Sequence, residues 1–98
     1  MFDKLNQAKQ MADGIKAKLE TISVIGEAEG IKVIANGNRK ILEVNIPENL
    51  LTVNSKEEVQ DLLCAAINRA LAAAENVSEA EMRGMMGSMM PGLGGLFK

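Results

Sequence analysis

Few side chains in this sequence could carry out acid–base or nucleophilic chemistry. There is no histidine, which removes the commonest general base and the commonest protein ligand of zinc. Cys64 is the single cysteine, and no imidazole exists that could activate its thiol. Glu27 and Glu29 share one face of a predicted strand, and without a further catalytic partner we interpret them as solvent-facing residues. We therefore predict that the chain is not an enzyme and holds no metal, cofactor or small-molecule substrate.

The basic side chains offer a different kind of chemistry, which is electrostatic contact with phosphate groups. The chain has 11 basic and 13 acidic residues, so its net charge of −2 excludes a strongly basic nucleic-acid binder but allows a local basic patch. The candidate DNA contacts are Lys4, Lys9, Lys16, Lys18, Arg39 and Lys40. A solvated helix surface with weak local ion pairs is the alternative interpretation of these lysines.

Any DNA binding by these residues should be of a particular kind. Only two residues are aromatic, so bases would have few rings on which to stack. We expect contact mainly with the phosphate backbone of double-stranded DNA, sensitive to salt and weakly selective for sequence.

Two amphipathic helices are predicted, one at each end of the folded region. Residues 3–22 place apolar side chains at three- and four-residue spacing. A second helix is predicted to follow Ser55, which forms a capping-box pattern with Glu58, and to end near Met82. Its face opposite the apolar stripe carries Glu57, Asp61, Asn68, Glu75 and Glu79. This acidic stripe would repel DNA, so we expect it to point away from any bound duplex.

Three short strands are predicted between the helices. Residues 23–29 are rich in β-branched side chains, and Glu29-Gly30 is a turn candidate. Residues 30–46 alternate around Asn36-Gly37-Asn38, whose residues tolerate the positive φ of a tight hairpin turn, and Pro47 ends the last strand. In this alternation Lys40, Leu42, Val44 and Ile46 share one face, and Arg39, Ile41, Glu43 and Asn45 share the other. The pattern predicts an antiparallel meander whose apolar face needs cover from the flanking helices.

The last 15 residues differ in composition from the rest of the chain. Residues 84–98 contain five glycines and one proline, so we predict a flexible tail that follows a single domain of residues 1–83. The stretch 92–95 is rich in glycine but follows no strand and lacks the lysine of a phosphate-binding loop. The methionines of the tail leave a second function open, namely a dimeric adaptor or chaperone-like factor that binds protein partners through the tail.

Size and composition also bear on assembly and location. With 98 residues and little aromatic side chain, the core should be thin, and we expect a homodimer that completes it. No apolar run approaches the roughly 20 residues that span a bilayer, and no secretory signal is visible, so no membrane contact is expected. A single cysteine is compatible with a reducing cytoplasm.

Several short patterns along the chain carry a resemblance to a known family. They are Gln7-Ala8, Met11, the stretch from Gly30 through Val33 to Asn36-Gly37, Val44, Ile46, Leu50-Leu51, the segment from Leu62 to Ala70 and Met90 to Gly92. In these patterns and in its order of elements, the chain resembles the YbaB/EbfC family of bacterial nucleoid-associated proteins. The segment 62–70 is similar to the family's Leu-x-x-Ala-Ala-x-Asn-x-Ala helix.

The resemblance implies a fold, a partner and a location. The fold is α+β, an α-β-β-β-α subunit in which a three-stranded antiparallel meander packs with two helices. The implied assembly is a homodimer with projecting helices that binds DNA in the nucleoid of the cytoplasm and influences chromosome organisation and gene expression. The resemblance carries over no catalytic residues.

Overall fold

A computed structural model of the chain describes residues 2–89, with side chains described for 6–7, 9–85 and 87. The elements in chain order are α1 (Phe2–Glu20), β1 (Ser23–Ala28), β2 (Ile31–Asn36), β3 (Ile41–Asn45) and α2 (Lys56–Met89). Two short 3₁₀ turns, Glu48–Leu50 and Val53–Ser55, join β3 to α2. The predicted α+β order of one helix, three strands and one long helix is confirmed.

The three strands form one antiparallel sheet in the order β1-β2-β3, as the meander prediction requires. Val33 lies at the centre of the sheet, opposite Gly26 of β1 and Val44 of β3. The predicted turn between β1 and β2 is confirmed, with φ of 49° at Glu29 and 91° at Gly30. Both values lie in the left-handed region that tight hairpin turns use.

Strict alternation is wrong for β3. Ile34 pairs with Glu43 and Ala35 pairs with Ile41, so Leu42 is an extra residue that forms a β-bulge. Ile41, predicted to face away from Val44, therefore lies opposite Ala35 on the same face of the sheet as Val33 and Val44. The extra residue moves the side chains before it in β3 to the other face of the sheet. The alternation of apolar and polar residues in the sequence does not reveal this shift.

Helix α2 covers one face of the sheet by packing against β1 and β2. The helix comes so close to β1 that a Cβ on Gly26 would lie 2.2 Å from both Ala66 O and Ala70 N. Glycine on the strand and alanine on the helix are therefore what permit this approach. The buried core at this contact consists of Ala28, Ile31, Val33, Ala35, Ala66 and Ala70.

Contrary to the prediction, helix α1 does not help to cover the sheet. It packs beside α2 instead. Ala12 and Ile15 line a shallow apolar cleft with Met82 and Met85 of α2. We call this helix pair the arm. The molecule measures 61 × 29 × 16 Å and its radius of gyration is 18.4 Å, whereas a compact chain of this length would have about 13 Å.

Both helices differ from prediction at their carboxyl ends. Helix α1 ends at Glu20, two residues early, because the backbone N–H and the hydroxyl of Thr21 both donate to Lys18 O and close the last turn. Helix α2 begins directly after Ser55, as predicted, but continues past Met82 to Met89.

The predicted boundary at residue 84 therefore falls inside α2. A Cβ on Gly84 or Gly87 would meet no neighbour within 4 Å, and each glycine costs about 1 kcal/mol of helix stability relative to alanine. The half-buried Met85 packs in the arm cleft and offsets part of that cost. Residues 84–89 are thus helical, and residues 90–98 of the predicted tail lie outside the described part of the chain.

Candidate nucleic-acid interface

Two of the six candidate cations lie in a turn that is hydrogen-bonded to the last turns of α1, where a third candidate is found. The Asn38 side chain, in the turn between β2 and β3, donates from Nδ2 to Lys16 O at 2.9 Å. This bond places the next two residues, Arg39 and Lys40, beside the last turns of α1. Lys16, Arg39 and Lys40 are all exposed, and we refer to them as the basic corner.

The basic corner rests on a tightly bonded turn. Asn36 is only 2% exposed, and its Oδ1 accepts the backbone N–H groups of Asn38 at 2.9 Å and Lys40 at 3.1 Å. The chain reverses where the Asn-Gly-Asn sequence predicts, but the positive φ falls on Arg39, at 64°, and not on the asparagines or the glycine. The buried carboxamide of Asn36 therefore holds the turn by local side chain–backbone hydrogen bonds, of the kind that favours asparagine in turns.

Gly37 is required in this turn for close approach. Its N–H donates to Leu19 O at 2.9 Å and to Ile22 O at 3.0 Å. A Cβ at this position would lie between 2.8 and 2.9 Å from the nearest Leu19 atoms. The turn thus packs against the end of α1 and donates to Leu19 O, one of the last carbonyl groups of the helix, and to Ile22 O just beyond it.

The other candidates on α1 lie farther along the arm. Lys9 is exposed and precedes Lys16 by seven residues, which places it on the same side of the helix about 10 Å away. The side chain of Lys4 lies outside the described part. Lys9, Lys16, Arg39 and Lys40 form no salt bridge to a described carboxylate. Together Lys9 and the basic corner make one cationic strip.

Lys18 has a different environment from this strip. Its Nζ lies 2.9 Å from Glu81 Oε2 on α2, and its side chain remains 60% exposed. The ion pair joins the two helices of the arm. Because Lys18 already has a carboxylate partner, we expect it to contribute less to phosphate binding than Lys16.

Two further arginines, counted among the basic residues, also have partners within the protein. Arg69 donates to the carbonyl oxygen of Glu27 and so ties α2 to β1. Arg83 pairs with Glu79 one helical turn away, at 3.5 Å. Both guanidinium groups therefore already have a partner within the subunit. The exposed pair of Arg83 with Glu79 contributes little to stability.

The charges on α2 agree with the predicted segregation of acid. All five residues of the acidic stripe are exposed: Glu57, Asp61, Asn68, Glu75 and Glu79. Glu27 and Glu29 are not brought together as an acid–base pair, since Glu27 lies opposite Lys32 in the sheet and Glu29 lies in the turn. Across the described residues, no three histidine, cysteine or carboxylate side chains are grouped as a metal site would need.

Sequence reasoning missed two features of this surface. The Asn38 side chain spans 22 residues to reach α1, and nothing local in the sequence predicts that contact. The second feature is an apolar surface on β3 and the segment that follows it. Its exposed members are Ile41, Leu42, Val44, Leu51 and Val53, which we call the β3 surface. The apolar character of Leu51 and Val53 predicts that they pack against the core, but this prediction is wrong, since they are 63% and 94% exposed.

None of the helices described is long and apolar enough to cross a membrane.

Comparisons with known proteins agree on one family. The family model described as the YbaB/EbfC DNA-binding family matches residues 1–89. A nucleoid-associated protein of Chlorobium phaeobacteroides is 36% identical over 92 residues, covering 92% of this chain and 81% of that protein. A nucleoid-associated protein of Thermus thermophilus is 35% identical over 100 residues, covering 99% of this chain and 95% of that protein.

The fold also has a counterpart among solved structures. The crystal structure of an uncharacterized protein from Helicobacter pylori matches with a TM-score of 0.76 at 23% identity. The match covers 87% of this chain and 91% of that one. At this level of identity the likeness concerns the fold alone.

Proposed function

This chain belongs to the YbaB/EbfC DNA-binding family, a family of nucleoid-associated proteins and not of enzymes, and from that premise we propose that it binds double-stranded DNA as a homodimer through the phosphate backbone. In this proposal the protein resides in the nucleoid and influences chromosome organisation and gene expression. The relatives named above are nucleoid-associated proteins, which supports that location.

The observation that carries the proposal is the cationic strip of Lys9 and the basic corner. Its four cations are exposed and have no described carboxylate partner, so they are available to phosphate oxygens. Exposed carboxylates lie on α2, where Glu75 and Glu79 form part of the acidic stripe, and on α1, where Asp13 and Glu20 follow Lys9 and Lys16 by four residues. The local excess of positive charge therefore comes mainly from the basic corner, and this corner would attract a duplex despite the net charge of −2.

The mode of binding follows from the side chains that are present. Lysine and arginine on an exposed surface recognise phosphate by charge, and such contacts carry no sequence information. The strip contains no aromatic residue on which a base could stack. We therefore propose weak sequence selectivity and a strong dependence on salt.

The β3 surface supports the homodimer. All five residues of β3 are exposed, although Val44 and Ile41 lie on the same face as the buried Val33 and Ala35. Helix α2 packs on β1 and β2 and leaves this part of the sheet open. Edge strands with apolar side chains are usually covered in native proteins, and the occupant we propose is a second copy of the chain.

The size of the core leads to the same proposal. Eight apolar residues of the described part are buried, and five of them are alanines. A core of such small side chains removes little apolar area from water, so a single subunit should be only marginally stable. A dimer joined at the β3 surface would bury further apolar area and would carry two arms, each with its own cationic strip.

A titration of labelled duplex DNA at two salt concentrations tests the proposal. With four cations per subunit, a dimer can neutralise about eight phosphates, so affinity should fall by about 10³- to 10⁵-fold between 50 and 200 mM salt. Two duplexes of unrelated sequence should bind with similar affinity. Absence of binding at micromolar dimer in 50 mM salt would contradict the proposed function.

A further inference from the structure

The side chain of Asn38 connects two cationic segments that are distant in sequence. Its Nδ2 donates to Lys16 O across 22 residues, and its backbone N–H donates to the buried Asn36 Oδ1. The two residues that follow it are Arg39 and Lys40. Together with the bonds from Gly37 N to Leu19 O and Ile22 O, this side chain sets the separation between the cation on α1 and the two cations on the turn.

Arg39 holds a backbone conformation that arginine rarely adopts. Its φ of 64° lies in the left-handed region, where glycine or asparagine is favoured. The turn imposes this φ, since Arg39 N donates to Asn36 O at 2.9 Å and Lys40 N is held by Asn36 Oδ1. Strained residues of this kind cluster at ligand contacts. Glycine would suit the backbone better, so what arginine adds at this position is its charged side chain.

We infer that Asn38 is a positioning residue for phosphate binding, which acts by holding Arg39 and Lys40 in place beside Lys16. Asn38 itself does not have to touch DNA in this role. Without its bond to Lys16 O, the three cations of the basic corner would still be present but would have to be ordered by the DNA. That ordering would cost conformational entropy at the moment of binding. The inference rests on the proposed function, because it concerns how the same cations bind phosphate.

A purely structural role for Asn38 makes a different prediction. Asn38 also bonds a carbonyl in the last turns of α1, and cations near the carboxyl end of a helix interact favourably with its dipole. In that case losing the bond would lower stability and leave the affinity of the folded protein unchanged. Thr21 provides a matched control, because its hydroxyl donates to Lys18 O at 2.7 Å at the same end of α1.

The test compares Asn38→Ala with Thr21→Ala in the full chain, using a labelled 30-base-pair duplex over a series of salt concentrations. We expect Asn38→Ala to weaken binding about threefold to tenfold at 50 mM salt, as one lost hydrogen bond would. Its salt dependence should stay close to that of the wild type, because the same cations still bind phosphate. Thr21→Ala should bind like the wild type. Asn38→Ser, whose hydroxyl is too short to bridge, replaces Asn38→Ala if circular dichroism shows that variant to be unfolded.

A double-mutant cycle separates positioning from an independent contact. In a background of Arg39→Gln and Lys40→Gln, the cations that Asn38 positions are gone, so adding Asn38→Ala should change the affinity less than twofold. If the wild type binds DNA and Asn38→Ala matches Thr21→Ala in affinity, the inference is wrong and the proposed function stands. If the wild type does not bind DNA, both are wrong.

Discussion

Gly26 of β1 and Ala70 of α2 touch through their backbones: a Cβ on Gly26 would lie 2.2 Å from Ala70 N. This contact seats α2 on the sheet, and the arm extends from the same helix. The clash involves backbone atoms that cannot rotate away, so a larger residue at position 26 would force the helix off the strand.

Gly26→Ala should therefore destabilise the protein by about 3 kcal/mol or more. Chemical denaturation followed by circular dichroism measures this. Gly14→Ala is the matched control, because a Cβ at Gly14 meets nothing within 4 Å, and alanine should stabilise this exposed helix by about 0.5–1 kcal/mol. Similar stability of the two variants would show that β1 and α2 are not in close contact.

Lys18 and Glu81 link the helices of the arm at 2.9 Å, but the pair is partly exposed. Lys18→Gln should lower the free energy of unfolding by less than about 1 kcal/mol, because exposed ion pairs contribute little. In the DNA titration it should weaken binding less than Lys16→Gln does. A larger effect of Lys18→Gln would mean that Lys18 contacts phosphate in preference to Glu81.

The β3 surface should control assembly. Val53→Asp places a charge where the proposed partner subunit would pack, so light scattering should show a shift from dimer toward monomer. Ile25→Asp is the control, since Ile25 is 60% exposed on the opposite face of the sheet, and it should leave the dimer intact. A wild type of monomeric mass, near 10.5 kDa, would contradict the proposed homodimer.

Removing residues 90–98 tests whether the methionine-rich end of the chain contributes to DNA binding. In the account proposed here, DNA binding depends on the cationic strip, so a chain that stops at Met89 should keep its affinity within about twofold. The affinity is measured in the same duplex titration. Loss of DNA binding in this variant, with normal helix content, would show that the last nine residues contribute to the interface.

Much of the fold could be predicted because local signals agree with it. The spacing of apolar residues predicts α1 and α2, and the Glu29-Gly30 pair takes the positive φ of a hairpin turn. The bulge at Leu42 and the extension of α2 to Met89 could not be predicted. Both depend on contacts between elements, and these contacts override the local pattern.

The candidate site could be predicted only as a set of cations. Charge and sequence position identified Lys16, Arg39 and Lys40, but their proximity depends on the bonds that Gly37 and Asn38 form with the backbone at the end of α1. In the same way, helical periodicity places Lys18 and Lys16 on different flanks of α1, but it does not reveal that Lys18 faces a carboxylate of α2. Contacts between segments distant in sequence decide which cations remain available.

The central claim, that phosphate is bound at the basic corner and not by positive charge in general, is tested most directly by comparing two variants of equal charge. Lys16→Gln with Lys40→Gln removes two lysines of the corner; Lys32→Gln with Lys56→Gln removes two exposed lysines elsewhere. Each pair changes the net charge from −2 to −4. We predict that the first pair weakens DNA binding at 50 mM salt more than about tenfold and lowers the salt dependence by about four phosphate contacts per dimer, while the second changes the affinity less than about threefold. Equal losses in the two variants would contradict the account.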